Sequence, residues 1–295
     1  MNVNMTIRHL KIFIEVADCG KMSLASKNLY ISQPSVSQAI SEIENFYNIK
    51  LFERLSKKLY ITEAGEQFLS YARHIVSLFD EMEETIKKSS VVLLKIGATV
   101  TVGTCVMSDI INQFSSKCPT IQTQVFINNT SVIESKILTN QLDIGLVEGE
   151  VKSKDIVCLP VIKDRLVLIS GKNSYFANKN TVKLSELNNQ PFILREKGSG
   201  TRELFENHMR NAGFTIQEKW ICNNSEAIKQ AVIAGHGLSV ISERLIKDEV
   251  ASHKLQIIKI NNVEFNRNFS IIYHKNKYLA DYLNEFIKVL KSYQK

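Results

Sequence analysis

The chain has 295 residues, of which 44% are hydrophobic and 23% are charged, so it contains enough apolar material for two or three packed domains. No apolar run reaches about 18 residues, and the first residues lack the apolar core of a secretory signal, so we expect a cytoplasmic protein without a membrane-spanning helix. The net charge is +7, but most of the basic excess follows residue 90, so bulk charge alone does not mark a nucleic-acid-binding region.

The first fifty residues predict three short helices. A helix over about residues 6–17 ends at Gly20, because glycine readily adopts the backbone conformation that terminates a helix. Ser23 stands at the N-cap position of a second helix, and Ser32 caps a third that has Pro34 in its first turn. The residues expected on the buried faces are Leu10, Phe13, Ile14, Ala17, Leu24, Ala25, Leu29, Val36, Ile40 and Ile43.

The outer face of the third helix carries side chains suited to reading DNA. Gln33, Ser37, Gln38 and Ser41 lie off the buried stripe. Glutamine can make two hydrogen bonds to adenine, and serine can bond bases or phosphates. Two short helices joined by a tight turn, with polar residues on the second, are typical of a helix-turn-helix. The alternative is an ordinary surface helix rich in Ser and Gln.

The segment 51–65 predicts a strand, a basic turn and a second strand before the start of another helix. Such a hairpin after a helix-turn-helix is the wing of a winged helix-turn-helix domain. Arg54, Lys57 and Lys58 cluster where a wing meets the phosphate backbone of DNA. The alternative is a solvated basic hairpin, which is the less favoured interpretation beside a recognition helix. We place this head at residues 1–62.

These motifs resemble the LysR-type transcriptional regulators. The family pattern S-Q-P-x-x-S, L-F-E-R and T-x-A-G occurs at residues 32–37, 51–54 and 62–65, in the same order and spacing. The resemblance implies double-stranded DNA as the partner and RNA polymerase as a further one. Many members have Arg where this chain has Gln38, which leaves the base preference there open. The residues implied to contact DNA are Ser32, Gln33, Pro34, Ser37, Gln38, Arg54, Lys57 and Lys58.

Residues 63–90 predict a long linker helix. Its apolar residues alternate spacings of four and three, the signature of a coiled-coil seam. A helix packed on its own domain is the alternative, but no other element of the head is expected to be free to cover the stripe. We therefore expect a homodimer that binds an interrupted palindrome, and similar proteins often form a homotetramer. The stripe comprises Phe68, Ala72, Ile75, Phe79, Met82 and Ile86.

Residues 91–295 alternate short apolar strands with amphipathic helices, which predicts an α/β domain. The strands are expected at 94–98, 122–127, 144–147, 166–170, 192–194, 219–222, 238–241, 256–260 and 269–273, and the helices at 106–117, 132–140, 201–212, 225–234 and 279–293. The family resemblance implies a two-lobed effector-binding domain like periplasmic solute-binding proteins, hinged by two crossing strands. Lobe I would combine 91–163 with 268–295, and lobe II would span 164–267.

Two glycine-containing segments predict where a ligand binds. In open α/β sheets a ligand lies outside the carboxyl ends of strands, near helix N-termini. Thr99 and Thr101 follow one strand end, and Arg195, Ser199 and Thr201 lead into a helix after another. Converging N–H groups and hydroxyls suit a small anion such as a carboxylate, phosphate or sulfate. The alternative is a capped loop in which the neighbouring Arg202 forms a structural ion pair.

Two further positions border this predicted cleft. Glu148, just after a buried strand, is expected at the cleft mouth, where it contacts a cationic group or is simply exposed. Ser225 caps a helix whose start borders the cleft in similar proteins. His236 lies between two glycines and is interpreted as a turn residue.

Enzyme chemistry finds little support in the sequence. No G-x-S-x-G, H-E-x-x-H, Walker or G-x-G-x-x-G motif occurs, and the six histidines are isolated. The five cysteines form no C-x-x-C pair, so we expect reduced thiols, no metal site and no cofactor besides the effector. The alternative function is an enzyme or solute-binding module on the same two-lobed fold, but the winged head argues against it. We therefore predict a sequence-specific transcriptional regulator that a small anionic effector switches.

Overall fold

The structure is a computed structural model that describes residues 5–55, 58–86, 92–177 and 179–293. Contacts within the chain divide it into two compact units, one formed mainly by the residues up to 90 and the other mainly by those from 91 onward. Within the described ranges, no helix combines the length and apolarity that a membrane span needs.

The N-terminal unit contains a winged helix-turn-helix. Thr6 caps the first helix, and Gly20 ends it with a left-handed φ of 62°. Ser32 caps the third helix by accepting a hydrogen bond from the Ser35 N–H at 3.2 Å. The wing is an antiparallel hairpin of two four-residue strands, as predicted. The elements are α1 (Ile7–Cys19), α2 (Met22–Asn28), α3 (Gln33–Tyr47), β1 (Phe52–Leu55), β2 (Lys58–Ile61) and α4 (Glu63–Ile86).

The predicted cap of α2 is wrong. Lys21 occupies the N-cap without a side-chain hydrogen bond, and Ser23 lies inside the helix. Because α2 begins at Met22, its inward stripe consists of Met22, Ala25 and Leu29, which are spaced three and four residues apart. Leu24 falls off that stripe and is exposed, contrary to the prediction.

The apolar stripe of α4 has a first part that packs in the core of the head and a later part that is exposed. Phe68 and Ala72 join the core of the head, where the Phe68 ring stands 5.0 Å from that of Phe13 on α1. The expectation that no element of the head could cover this stripe is therefore wrong for its N-terminal half. Further along, Ile75 and Met82 are 41% and 47% exposed. The side chain of Ile86, the last member of the stripe, lies outside the described residues.

The C-terminal unit is an α/β domain. One sheet has the strand order β4-β3-β5-β12-β6-β11-β7, with β10 also paired to β6, and β8 pairs β9 in a second sheet. The strands are β3 (Leu93–Thr99), β4 (Gln122–Asn128), β5 (Ile144–Glu148), β6 (Ile156–Gly171), β7 (Thr181–Val182), β8 (Pro191–Arg195), β9 (Gln217–Cys222), β10 (Ser239–Ser242), β11 (Leu255–Ile260) and β12 (Phe265–His274). The helices are α5 (Val100–Cys105), α6 (Met107–Lys117), α7 (Thr130–Leu138), α8 (Gly200–Asn211), α9 (Ser225–Ile233), α10 (Lys247–Ala251) and α11 (Asp281–Ser292).

Two long strands run through both halves of this domain. β6 and β12 pair antiparallel from Ile156–His274 to Leu166–Phe265, with an irregularity between Phe269 and Ser270. Toward one end β12 also pairs β5, and toward the other β6 pairs β10 and β11. These are the two crossing strands that the family resemblance implied.

The apolar cores separate on either side of these strands. The first core draws on residues 94–162 and 269–293, and packs α6 and α11 against the sheet. The other two cores draw on residues 166–265. Along β6, Leu166 and Leu168 face the core that contains α8, whereas Val167 and Ile169 face the core that contains α9. This alternation follows from the two-residue period of a strand. The two groups of cores are called lobe I and lobe II below.

Candidate DNA-binding surface and inter-lobe ligand site

The exposed face of α3 carries the glutamines predicted to read DNA. Gln33, Pro34 and Gln38 are exposed, and Ser37 is half-buried. The Gln38 amide donates a hydrogen bond of 2.9 Å to Glu42, whose other oxygen lies 2.9 Å from the ring of His9 on α1. Ser32 is engaged as the helix cap. The DNA-contacting roles of these residues stay a prediction.

The wing is tied to the C-terminal end of α3 by Glu44. Its carboxylate accepts hydrogen bonds from the N–H groups of Leu51 and Phe52 and pairs with Lys50 at 2.7 Å. Burial alone would raise the pKa of Glu44, but the Lys50 ammonium and the two N–H donors lower it. The carboxylate therefore fixes where β1 leaves the helix.

Of the three basic residues predicted on the wing, the structure describes only the backbone of two. Lys57 lies outside the described residues, and so do the side chains of Arg54 and Lys58. Their backbone places Arg54 on β1 and Lys58 on β2. Their predicted phosphate contacts stay a prediction.

In the C-terminal unit, a buried carboxylate lies at the ends of two parallel strands. Glu148 ends β5, and Thr99 ends the adjacent β3. Both threonine hydroxyls of this segment donate hydrogen bonds to Glu148, Thr99 to one oxygen and Thr101 to the other at 2.9 Å. Glu148 is only 1% exposed, so of the two alternatives predicted for it, exposure at the cleft mouth is wrong, and a cationic group, the Arg267 guanidinium, lies 4.0 Å away.

An arginine on β12 connects this carboxylate to lobe II. The Nη1 atom of Arg267 donates to the Thr201 hydroxyl at 2.9 Å and lies 4.0 Å from Glu148. Its Nε atom donates at 2.7 Å to Asp164, the residue directly opposite it on β6. Asp164 also accepts a 2.7 Å hydrogen bond from Ser242, and Arg244 lies 3.6 Å away. Arg267 therefore bridges the hinge strands and both lobes.

The lobes meet through backbone contact beside this network. Gly149 follows Glu148 with a left-handed φ of 101°, and Gly200 is the first residue of α8. A Cβ atom added to Gly200 would lie 2.3 Å from the Glu148 carbonyl oxygen, so only glycine fits there. Ser199, the N-cap of α8, makes no capping hydrogen bond with its side chain.

Two donors in this site lack partners. The Ser199 hydroxyl and the Nη2 atom of Arg267 are buried and have no hydrogen-bond partner among the described residues. The Ser199 residue is 1% exposed and the Arg267 side chain 5%. Because a buried donor without an acceptor is costly, each of these two groups is a candidate contact for an oxygen-bearing ligand.

The structure brings together five of the six predicted ligand-site residues: Thr99, Thr101, Glu148, Ser199 and Thr201. The sixth, Arg195, is buried but directs its guanidinium to Glu196 in a two-bond ion pair. Arg202 pairs with Glu206 and Glu218, so the alternative interpretation of a structural ion pair is right for this residue. The sequence reasoning missed Arg267 and Asp164, which meet only through the pairing of β6 with β12.

A neighbouring cavity of about 440 Å³ lies between α5 and the start of α9. Asn224, rather than the predicted Ser225, caps α9 by accepting from the Ala227 N–H at 2.8 Å. Burial and nearby carboxylates raise the pKa of the Cys105 thiol there to about 11, so little reactive thiolate forms near neutral pH. The cavity is lined by Val100, Thr104, Cys105, Asn224, Ser225, Glu226, Lys229, Arg244, Leu245 and Lys247.

The chain matches two family models. Residues 7–66 match the bacterial regulatory helix-turn-helix protein, lysR family, and residues 91–295 match the LysR substrate binding domain. It is 30% identical over 285 residues to an uncharacterized HTH-type transcriptional regulator, YeiE, of Escherichia coli (strain K12), covering 97% of each chain.

Solved structures show the same architecture. A full-length OxyR variant from Pseudomonas aeruginosa aligns with a TM-score of 0.68 at 19% identity, covering 98% of this chain and 94% of that one. The regulatory domain of CcmR from Synechocystis PCC6803, in complex with 2-PG, aligns with a TM-score of 0.63 at 26% identity, covering 68% of this chain and 96% of that one. With its helix-turn-helix head and its two-lobed domain both accounted for, the chain belongs to the LysR family of DNA-binding transcriptional regulators, which carry an effector-binding domain and are not enzymes.

Proposed function

We propose that this regulator binds an interrupted palindrome as a homodimer and is switched by a small anion held between the lobes of its C-terminal domain. The head comprises residues 1–62, the linker 63–90 and the effector-binding domain 91–295, with lobe I at 91–163 and 268–295 and lobe II at 164–267. RNA polymerase is a further partner, and pairs of dimers form a homotetramer.

The DNA contacts follow from the exposed face of α3. Gln33 and Gln38 present amides that match the donor and acceptor pattern of adenine in the major groove. Ser32, Pro34 and Ser37 lie at or near the N-terminus of the same helix, close to the phosphates. Arg54, Lys57 and Lys58 on the wing add sequence-independent contacts to the DNA backbone.

The homodimer is supported by the exposed part of α4. Ile75 and Met82 are seven residues apart, one heptad, and both remain largely exposed. A second copy of the helix would bury them. A two-fold pair of heads then reads two half-sites in opposite orientation.

One observation carries the anion proposal: the buried, unpartnered donors Ser199 Oγ and Arg267 Nη2 lie at the meeting point of the lobes. The N-terminus of α8 beside them adds a partial positive charge of roughly half a unit. Thr201 supplies a third polar group, already within 2.9 Å of Arg267. CcmR, which is 26% identical over the region it shares with this chain, was solved with 2-PG and supports a ligand in this domain.

The switch requires that the ligand bind one arrangement of the lobes better than the other, since equal affinity would shift nothing. Lobe II supplies Ser199 and Thr201, lobe I supplies Thr99, Thr101 and Glu148, and Arg267 joins them. A ligand that contacts Ser199 in lobe II and also reaches Glu148 in lobe I therefore favours the closed arrangement.

The test is footprinting of the DNA upstream of the protein's own gene, with and without a panel of small anions. We expect protection of an interrupted palindrome that changes with at least one anion. Ser199→Ala should bind DNA normally and lose the response, because its hydroxyl has no partner inside the described part of the protein. Ser116→Ala, in which the lost hydroxyl bonds only within its own helix, is the matched control. An unaltered response in Ser199→Ala would contradict the assigned site.

A further inference from the structure

The two threonines expected to bind an anion already bind one from the protein itself. Thr99 and Thr101 both donate to the Glu148 carboxylate, so their hydroxyls are not free for a ligand. The donors left open are the Ser199 hydroxyl and the Nη2 atom of Arg267, whose guanidinium lies 4.0 Å from Glu148. A ligand in contact with these donors would therefore have a carboxylate, a pure acceptor when ionised, as its neighbour.

Among the residues that the structure describes, the other charged groups near Glu148 form their own pairs and donate no hydrogen bond to its carboxylate. Asp164 is held by Arg267 and Ser242, with Arg244 nearby, and Arg195 is committed to Glu196. The cation that pairs with Glu148 is Arg267, 4.0 Å away. Burial raises the pKa of Glu148, the charge of Arg267, the bond from Thr101 and the charge of Arg195 oppose that rise, and Asp164 adds to it. A further titratable group facing the site is the Cys105 thiol on α5, which stays protonated.

We propose, building on the anion site above, that Glu148 is a specificity-determining residue that selects small oxyanions carrying a proton and rejects fully ionised oxyanions of the same size. The ligand accepts hydrogen bonds from Ser199 and Arg267 and donates its own O–H to Glu148. No bond is made or broken, and one proton is shared between the ligand oxygen and the carboxylate.

The selectivity follows from what a fully ionised anion would meet. When Glu148 is ionised, the oxygen of such an anion would face the carboxylate with no proton between them, in a buried site that water does not screen. Sites that hydrogen-bond a ligand O–H reject analogues lacking it by up to roughly 10⁴-fold, because the buried acceptor is left unpaired. Phosphate and sulfate test this directly, since both are tetrahedral but only phosphate keeps a proton near neutral pH.

The experiment is calorimetric titration of the full-length protein with inorganic phosphate and with sulfate. We expect the wild type to bind phosphate at least about 100-fold more tightly than sulfate. Glu148→Gln should bring the two affinities to within about tenfold, mainly by improving sulfate, because the amide can donate to an ionised oxygen. Glu285→Gln, a matched change on α11 at the Lys117 ion pair, should leave the ratio unchanged.

The pH dependence provides a second readout. Sulfate binding to the wild type requires a proton on Glu148, so its affinity should fall by up to about tenfold per pH unit as that group ionises. In Glu148→Gln the sulfate affinity should be flat with pH. Thermal unfolding of each variant confirms that the protein compared is folded.

Each outcome decides between the two proposals. Equal affinities in the wild type, a preference for sulfate, or an unchanged ratio in folded Glu148→Gln overturns the role of Glu148 and leaves the anion site standing. Failure of both anions to bind either protein overturns the anion site together with its selectivity.

Discussion

Replacing Arg267 with methionine tests whether its contacts with Asp164, Thr201 and Glu148 stabilise the packing of the two lobes. The substitution keeps the apolar part of the side chain and removes the guanidinium. Asp164, whose side chain is completely buried, then keeps a hydrogen bond from Ser242 and the ion pair with Arg244 at 3.6 Å, but loses its 2.7 Å ion pair. Breaking one partner of a buried pair costs about 3–5 kcal/mol, because an uncompensated charge stays buried. Because Arg244 still lies 3.6 Å from Asp164, we expect a loss in the free energy of unfolding near the lower end of that range, about 3 kcal/mol.

The assay is urea denaturation followed by the fluorescence of Trp220, the single tryptophan, which stacks on His236 in lobe II. Arg165→Met is the matched control, since Arg165 is the neighbour of Asp164 on β6 and pairs with Glu243 at the surface. Its side chain is 51% exposed, so its loss should cost less than about 1 kcal/mol. Adding Asp164→Asn to Arg267→Met should recover part of the loss. Equal losses for Arg267→Met and Arg165→Met would refute the reasoning.

Three further predictions concern DNA binding, assembly and pH. Gln33→Ala should cost about 1–3 kcal/mol on the specific site and less on random DNA, whereas Arg54→Ala should weaken both equally and reduce the salt dependence of binding. Equal losses on both DNAs for Gln33→Ala would contradict its role. Ile75→Asp should dissociate the homodimer in sedimentation, and Ser77→Asp, on the opposite face of α4, should not; a monomeric wild type would refute the interface. Because the pKa of Glu148 is raised on folding, the wild type should lose unfolding free energy relative to Glu148→Gln as pH rises above about 4.5, by up to about 1.4 kcal/mol per unit. A pH-independent difference in urea midpoints would contradict this.

The head could be predicted from local signals because its helices are marked by them. Gly20 and Ser32 each fix one helix end by their own backbone or side chain. The start of α2 escaped prediction because Lys21 makes no capping bond, so no local residue type marks that boundary. The packing of Phe68 against α1 is tertiary, and an apolar stripe alone does not say which neighbour covers it.

The paired strands β6 and β12 show why part of the C-terminal domain could not be predicted from the sequence. β6 runs from Ile156 to Gly171, but the sequence reasoning found only its last third. Lys163, Asp164 and Arg165 interrupt the apolar pattern in the middle of this strand. They are tolerated because Asp164 pairs with Arg267, 103 residues away, through the strand register. No pattern within either segment reveals that pairing.

The candidate ligand site also has a part that local sequence rules predict and a part that only the three-dimensional structure shows. Thr99, Thr101, Ser199 and Thr201 were predicted as ligand contacts because strand ends and helix N-termini are the regular places for anions in α/β folds, and their ligand contacts stay a prediction. That rule does not reveal that two of these four hydroxyls, those of Thr99 and Thr101, already donate to the Glu148 carboxylate. Glu148 is buried because two hydroxyls satisfy it, and this needs the three-dimensional neighbours of β3 and β5.

Ser199 and Arg267 both lie within the proposed lobe II, where Arg267 pairs with Asp164 and donates to Thr201. A ligand that bonds only these two residues therefore gains similar energy in both arrangements of the lobes and shifts neither. The bond that distinguishes the two arrangements is the one to Glu148 in lobe I, which a ligand held by Ser199 and Arg267 reaches only when the lobes close. Moving a population from about 1:99 to 99:1 needs roughly 10⁴-fold differential affinity, and the bonds specific to the closed form must supply it. Ser199→Ala should therefore lower the anion affinity together with the change in DNA protection, and Arg267→Met, which removes a charged donor, should lower both further.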